Sequence, residues 1–177
     1  MTYTKNKIRK EFIKIRNEIP FTRRAIAEKK AFKKIYSLNF SKILSFAPKT
    51  KEINIWNLNK KLAFENKLYL PKTVANELQI YEITDLDTQL IKGKFNILEP
   101  DPSKCKKADS IDISCVLVPA IVFDKNNNRL GYGRGFYDRF LKDLTCPILG
   151  IGFLEQLSKN MLPIEKHDIK LNHLLLF

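Results

Sequence analysis

Residues 115–141 read CVLVPAIVFDKNNNRLGYGRGFYDRFL, and the succession of residue types in them decides the fold. Cys115–Val118 is a short apolar run bounded by Pro119, the pattern of a buried strand that stops abruptly. A polar loop follows, Asp124-Lys125-Asn126-Asn127-Asn128, and then Gly131, Gly133 and Gly135 fall at alternate positions. Phe136–Leu141 has the composition of a helix beginning. Strand, glycine-rich turn and helix start together suit an anion: glycine admits close backbone approach, and unpaired N–H groups at a helix N-terminus attract negative charge. The spacing is neither G-x-G-x-x-G nor a loop ending in G-K-[ST], so it is not a dinucleotide fingerprint or a Walker A loop. A plain turn would carry the same glycines. The neighbours favour an anion: Arg129 and Arg134 suit bidentate phosphate binding, and a carboxylate beside a phosphate site, Asp138, is a natural Mg²⁺ ligand.

Outward from this stretch, the chain alternates helices and strands. Residues 4–18 carry Ile8, Phe12, Ile15 and Ile19 on one stripe, an amphipathic helix that Pro20 stops. Thr22 is the expected cap of a second helix to about Tyr36, with Ala25, Ile26, Ala31, Phe32 and Ile35 inward. Ile43–Ala47 reads as the first strand, ended by Pro48. Glu52 to about Asn66 reads as a helix burying Ile53, Trp56, Leu62 and Ala63. Lys67–Leu70 is a strand ending at Pro71, Leu78–Ile83 alternates as another, and a short helix is expected within 84–92. Phe95–Asp112 reads as irregular, Phe136–Asp143 as helical, Pro147–Phe153 as a strand, and Leu174–Leu176 as a strand at the C-terminal edge. This predicts a single α/β domain over residues 1–177, three layers deep, with a mainly parallel open sheet. Ligands of such sheets sit beyond the carboxyl ends of the strands, so Glu52, Lys72 and the glycine loop are expected on one rim.

At 177 residues the chain is long enough to bury a core without disulfides or metal staples. Cys105, Cys115 and Cys146 lack CxxC or Cys/His spacing, His167 and His173 lack ligand spacing, and no apolar run approaches ~18 residues. The N-terminus lacks the apolar core of a secretory signal. These features predict a cytoplasmic protein with no membrane span. The net charge is +13, concentrated in the first 34 residues. Much of this lysine can be solvated surface, but Lys5 and Arg9 are four apart on one helix face and suit a single anion.

The run PAIVFDKNNNRLGYGRGFYDRFL resembles the signature of 5-formyltetrahydrofolate cyclo-ligases, also called methenyltetrahydrofolate synthetases. The resemblance extends to Lys5 and Arg9, to Glu52 after the first strand, to Ile97-Leu98-Glu99-Pro100, and to Gln156, Leu162-Pro163 and Asp168. It implies an ATP- and Mg²⁺-dependent enzyme that converts 5-formyltetrahydrofolate, polyglutamylated or not, into 5,10-methenyltetrahydrofolate with release of ADP and phosphate. It assigns ATP to Lys5, Arg9 and the run Arg129, Leu130, Gly131, Tyr132, Gly133, Arg134, Gly135, Phe136 and Tyr137. Catalysis falls to Arg129, Arg134 and Tyr137, folate to Ala47, Glu52, Phe136 and Tyr137, and Mg²⁺ to Asp138 and Asp168.

Three positions depart from the family pattern. Asn127 stands where Gly is usual, and Asn tolerates positive φ. Phe136 stands where Tyr is common and removes a hydroxyl. Lys72 replaces a frequent Arg, keeping the charge without the fork. Alternatives are a small-molecule kinase, a folate-binding protein of similar fold, or a basic nucleic-acid-binding module; the last lacks a recognisable nucleic-acid motif.

Overall fold

The computed structural model describes residues 4–93 and 97–177. Helices α1 (Lys5–Glu18) and α2 (Phe21–Ser37) lead into β1 (Ile43–Leu44), α3 (Trp56–Phe64), β2 (Leu68–Val74) and β3 (Glu77–Ile83). A short α4 (Leu86–Gln89), β4 (Leu90–Lys92) and β5 (Leu98–Pro100) precede β6 (Cys115–Pro119), β7 (Val122–Asp124) and β8 (Arg129–Leu130). The chain closes with α5 (Phe136–Leu141), β9 (Ile148–Gly152), β10 (Leu157–Ser158) and β11 (His173–Leu176).

The main sheet runs β11-β9-β6-β1-β2-β3, parallel except where β3 returns antiparallel along β2. Alternation in β6 divides the core between its two faces. Cys115 and Leu117 pack with Ala27, Ala31 and Ile35 of α2 and with Leu58 and Leu62 of α3. Val116 and Val118 pack on the other face with Phe123 and with Leu141 of α5. Each such buried aliphatic side chain contributes roughly 1.5–3 kcal/mol relative to exposure, and the result is the expected three-layer α/β arrangement. A second sheet, β10-β7-β8, lies beside it. Ile8 and Phe12 of α1 pack against Ile121, Val122 and Leu130 there, which brings the basic first helix alongside the glycine loop.

Several local expectations need correction. Strand β2 passes through Pro71 instead of ending there, with Pro71 opposite Ile80. The ladder of β1 stops at Leu44, opposite Tyr69, so Pro71 lies where β2 has a neighbour on one side only and its missing N–H is tolerated. The strand expected over Ile43–Ala47 is confined to its first two residues. Pro20, not Thr22, precedes the first turn of α2, whose inner stripe is Arg24, Ala27, Ala31 and Ile35; Ala25 and Ile26 are exposed. Arg24 can face inward because its guanidinium donates to the carbonyls of Ile19, Lys51 and Arg16 and lies 4.9 Å from the Phe153 ring centre. Helix α3 begins at Trp56 and buries Asn59, bonded to Ser45 and to the Phe46 carbonyl, while Trp56 is half-buried. The stretch read as irregular contains β5; its Phe95 lies outside the described residues.

Candidate functional site

A cleft of about 660 Å³ opens beyond the carboxyl ends of β1 and β6. From β1 the chain crosses to β2 on one side, and β6 later takes the place on the other side. That is the switch point at which open α/β sheets leave a crevice. Phe46 and Ala47 follow β1 and Pro119 ends β6, and all three line the cleft.

The 124–138 loop is built on a buried carboxylate. Asp124 is fully buried and accepts from the backbone N–H groups of Asn126, Asn128 and Leu162 and from Asn128 Nδ2. Burial alone would raise its pKa, but these donors hold it below the usual carboxylate value. Asn127 adopts φ +63° and Asn127 Nδ2 donates to the Asn172 carbonyl, so Asn does serve at this turn. Gln156, also buried, donates to the carbonyls of Ala120 and Ile121 and accepts from Phe153 N–H, fixing the chain just after β6. Gly133 and Gly135 adopt φ +85° and +65°. Gly133 is favoured by its left-handed backbone, and the Arg9 guanidinium lies over it, 2.9 Å from where a Cβ would stand.

All the residues singled out for the site except Lys72 line this cleft: Lys5, Arg9, Ala47, Glu52, the whole run 129–138 and Asp168. Lys72 instead donates to the Pro100 carbonyl and lies 3.8 Å from Glu99. Arg9 Nε donates to the Gly131 carbonyl at 2.8 Å. Lys5 Nζ sits 2.8 Å from Asp168 Oδ2 and 2.9 Å from Glu165 Oε1. Burial would lower its pKa, but the two carboxylates hold the ammonium above its ordinary value. Asp168 is depressed in turn: against the effect of burial, it accepts from Lys5 and from Glu165 N–H. Arg129, almost wholly buried, donates to Asp138 Oδ1 at 2.6 Å and to the Ile169 carbonyl at 2.5 Å. Asp138 also accepts from Ile169 N–H. Loss of solvent around the Tyr137 hydroxyl, with Glu52 nearby, pushes its pKa far up, so at neutral pH it is a donor and not a phenolate.

Arg129 and Lys5 are thus each neutralised by a carboxylate of the same cleft. Among the described residues no group of three or more His, Cys, Asp or Glu side chains forms a metal cage. Two separate carboxylates suit a hard cation that brings most of its own oxygen ligands with it, as Mg²⁺ on phosphates does.

Three side chains escaped the sequence reading. Arg16 follows Arg9 by seven residues and so continues its helix stripe, a legible signal. Arg16 Nη2 donates to the Tyr132 hydroxyl at 2.9 Å, and Nη1 lies 3.8 Å from Glu52 Oε1. Lys49, whose backbone N–H donates to Glu52 Oε2, holds its ammonium 4.1 Å from the Tyr132 ring centre. Glu165 meets Lys5, and His167, given no role from its spacing, lies on the same wall 3.4 Å from Glu165. No local pattern announced Lys49 or Glu165.

Comparison with known proteins gives one consistent result. The model of the 5-formyltetrahydrofolate cyclo-ligase family matches residues 1–176. A probable 5-formyltetrahydrofolate cyclo-ligase of Schizosaccharomyces pombe is 27% identical over 121 residues, 60% of this chain and 59% of that protein. The 5-formyltetrahydrofolate cyclo-ligase of Mycoplasma pneumoniae is 32% identical over 90 residues, 51% of this chain and 49% of the relative. The chain thus spans about half the length of the curated relatives it matches. The NMR structure of Aquifex aeolicus 5,10-methenyltetrahydrofolate synthetase superposes with a TM-score of 0.85 at 28% identity, over 96% of this chain and 88% of that one.

Proposed function

The chain belongs to the 5-formyltetrahydrofolate cyclo-ligase family, and on that premise we propose that it uses Mg²⁺-ATP to cyclise 5-formyltetrahydrofolate to 5,10-methenyltetrahydrofolate. The formyl oxygen attacks the γ-phosphorus and ADP departs. N10 of the same folate then attacks the activated formyl carbon and loses its proton, and the carbon–oxygen bond breaks to release phosphate. Formamide oxygen is a poor leaving group until phosphorylated, which is why the nucleotide is consumed.

In this reading the backbone of residues 129–137 wraps the phosphates, while Lys5, Arg9, Arg129 and Arg134 neutralise them. The Arg129–Asp138 and Lys5–Asp168 pairs keep these cations and carboxylates in place until phosphate takes the cations. Asp138 and Asp168 would hold Mg²⁺, which supplies charge neutralisation on the phosphate oxygens when bound. Phe136 packs on folate as an apolar wall without a hydroxyl. Protonated Tyr137 donates toward the transferring group, and Glu52 accepts from the N–H groups of the folate ring near Ala47. The whole chain acts as one domain, in the cytoplasm, on substrate with or without a polyglutamate tail.

The supporting observation is that one cleft holds the cationic stripe of α1, the glycine loop and Glu52 together. The test is to follow methenyl absorbance with 5-formyltetrahydrofolate, ATP and Mg²⁺, omitting each in turn. Product that needs all three is expected. Folate bound without turnover would turn the reading to a non-catalytic folate binder, and ATP consumed without folate would turn it to a kinase.

A further inference from the structure

One side chain joins the glycine loop to Glu52. Tyr132 has a half-exposed ring, but its hydroxyl accepts from Arg16 Nη2 at 2.9 Å and lies 3.4 Å from Glu52 Oε1. Arginine is a donor only, so the single phenolic proton is directed to the carboxylate. Burial and the nearby carboxylate push the Tyr132 pKa up, so that proton stays in place at neutral pH. Glu52 Oε2 is held separately by Lys49 N–H at 2.9 Å. Both carboxylate oxygens are therefore oriented, one by the backbone after β1 and one by the glycine loop.

Arg16 offers Glu52 a second partner. It is 3% exposed, yet its Nε and Nη1 have no hydrogen-bond partner. Nη1 lies 3.8 Å from Glu52 Oε1, so a closure of roughly 1 Å would make a direct bond of normal length. Buried unsatisfied donors are costly, so Glu52 gains by turning onto Arg16 whenever Tyr132 lets go.

We propose that Tyr132 couples the two substrates. Nucleotide bound on the backbone of residues 129–135 fixes Tyr132 against Glu52 and so keeps Glu52 facing the folate instead of closing on Arg16. Tyr132 and Arg16 are positioning residues in this scheme, acting on folate only through Glu52. The inference rests on the cyclo-ligase reading, and linkage requires that the coupling be reciprocal.

The test is the dissociation constant of 5-formyltetrahydrofolate, measured by titration calorimetry with and without Mg²⁺ and a non-hydrolysable ATP analogue. Nucleotide is expected to tighten folate binding about tenfold, a common size for coupling between sites. In Tyr132→Phe, which deletes one oxygen from a half-exposed residue, the enhancement is expected to fall below about twofold. A thermal melt by circular dichroism verifies that the variant is folded. Enhancement retained in Tyr132→Phe would overturn the coupling role and leave the cyclo-ligase reading standing. So would two ligands that bind the wild type independently. A wild-type protein that binds no folate would overturn the cyclo-ligase reading, and the coupling with it.

Discussion

Asp124 and Asp138 stand at opposite ends of one loop, and the same side chain serves opposite ends there. Asp124 is fully buried and held by three backbone N–H groups and the Asn128 amide. The three backbone donors cannot move without the main chain moving, so the carboxylate is a fixed part of the frame. Asp138 borders the cleft and holds the guanidinium of Arg129. In the proposed cyclo-ligase reaction, phosphate would take that guanidinium and free the carboxylate for a cation. Three backbone donors make Asp124 structural, whereas Asp138 has, among the described residues, a single backbone donor, Ile169 N–H, and leans on a side-chain cation that can be exchanged.

The largest expected difference comes from Asp124→Ala. It leaves several buried N–H groups without acceptors and is expected to lower the unfolding free energy by about 3 kcal/mol or more, measured by urea denaturation. A loss below about 1 kcal/mol would break the contrast, because the frame would then not depend on Asp124. Next is Arg129→Ala on the exchangeable side. The KM for ATP is expected to rise about ten- to hundredfold, since hydrogen bonds to charged groups contribute ~1.5–3 kcal/mol, with a smaller change for folate. Equal losses for the two substrates would count against a phosphate contact.

Acid sharpens the same comparison. Asp124 and Asp168 both have pKa values below normal in the folded protein. Their contribution to stability is therefore complete above the unfolded value near ~3.9 and disappears as the pH falls through the lower folded values. The denaturation midpoint is expected to be level above about pH 5 and to fall below about pH 4. That fall should shrink in Asp124→Asn, and an identical acid profile in the variant would remove Asp124 as its source. The smallest effect belongs to the solvent-exposed pair Lys14–Glu18, 3.9 Å apart on α1. Lys14→Ala is expected to change stability by less than about 0.5 kcal/mol, since exposed i,i+4 pairs are weak and screened.

Much of this was legible in the chain. The apolar run before Pro119, the alternate glycines and the charges around them located strand, loop and helix start, because each depends on local sterics and on the residue at that position. The i,i+4 spacing of Lys5 and Arg9 likewise put both on one side of α1. The inner face of α2 was misread because apolar periodicity could not foresee that Arg24 would find three carbonyls from other segments. Lys72 was expected on the rim for its strand-end position, yet β2 ran on through Pro71, and the side chain turned to Pro100 instead.

By itself, the sequence determined the layer architecture, the family and the segments that make the cleft, since periodicity, breakers and contiguous motifs are properties of neighbouring residues. Only the tertiary structure decided which charge meets which. Lys5 with Asp168, Arg129 with Asp138, and Arg16 with Tyr132 and Glu52 join positions far apart along the chain. Such pairings follow from how α1 packs on the small sheet and where β1 and β6 part, and no local pattern encodes a distance across a cleft.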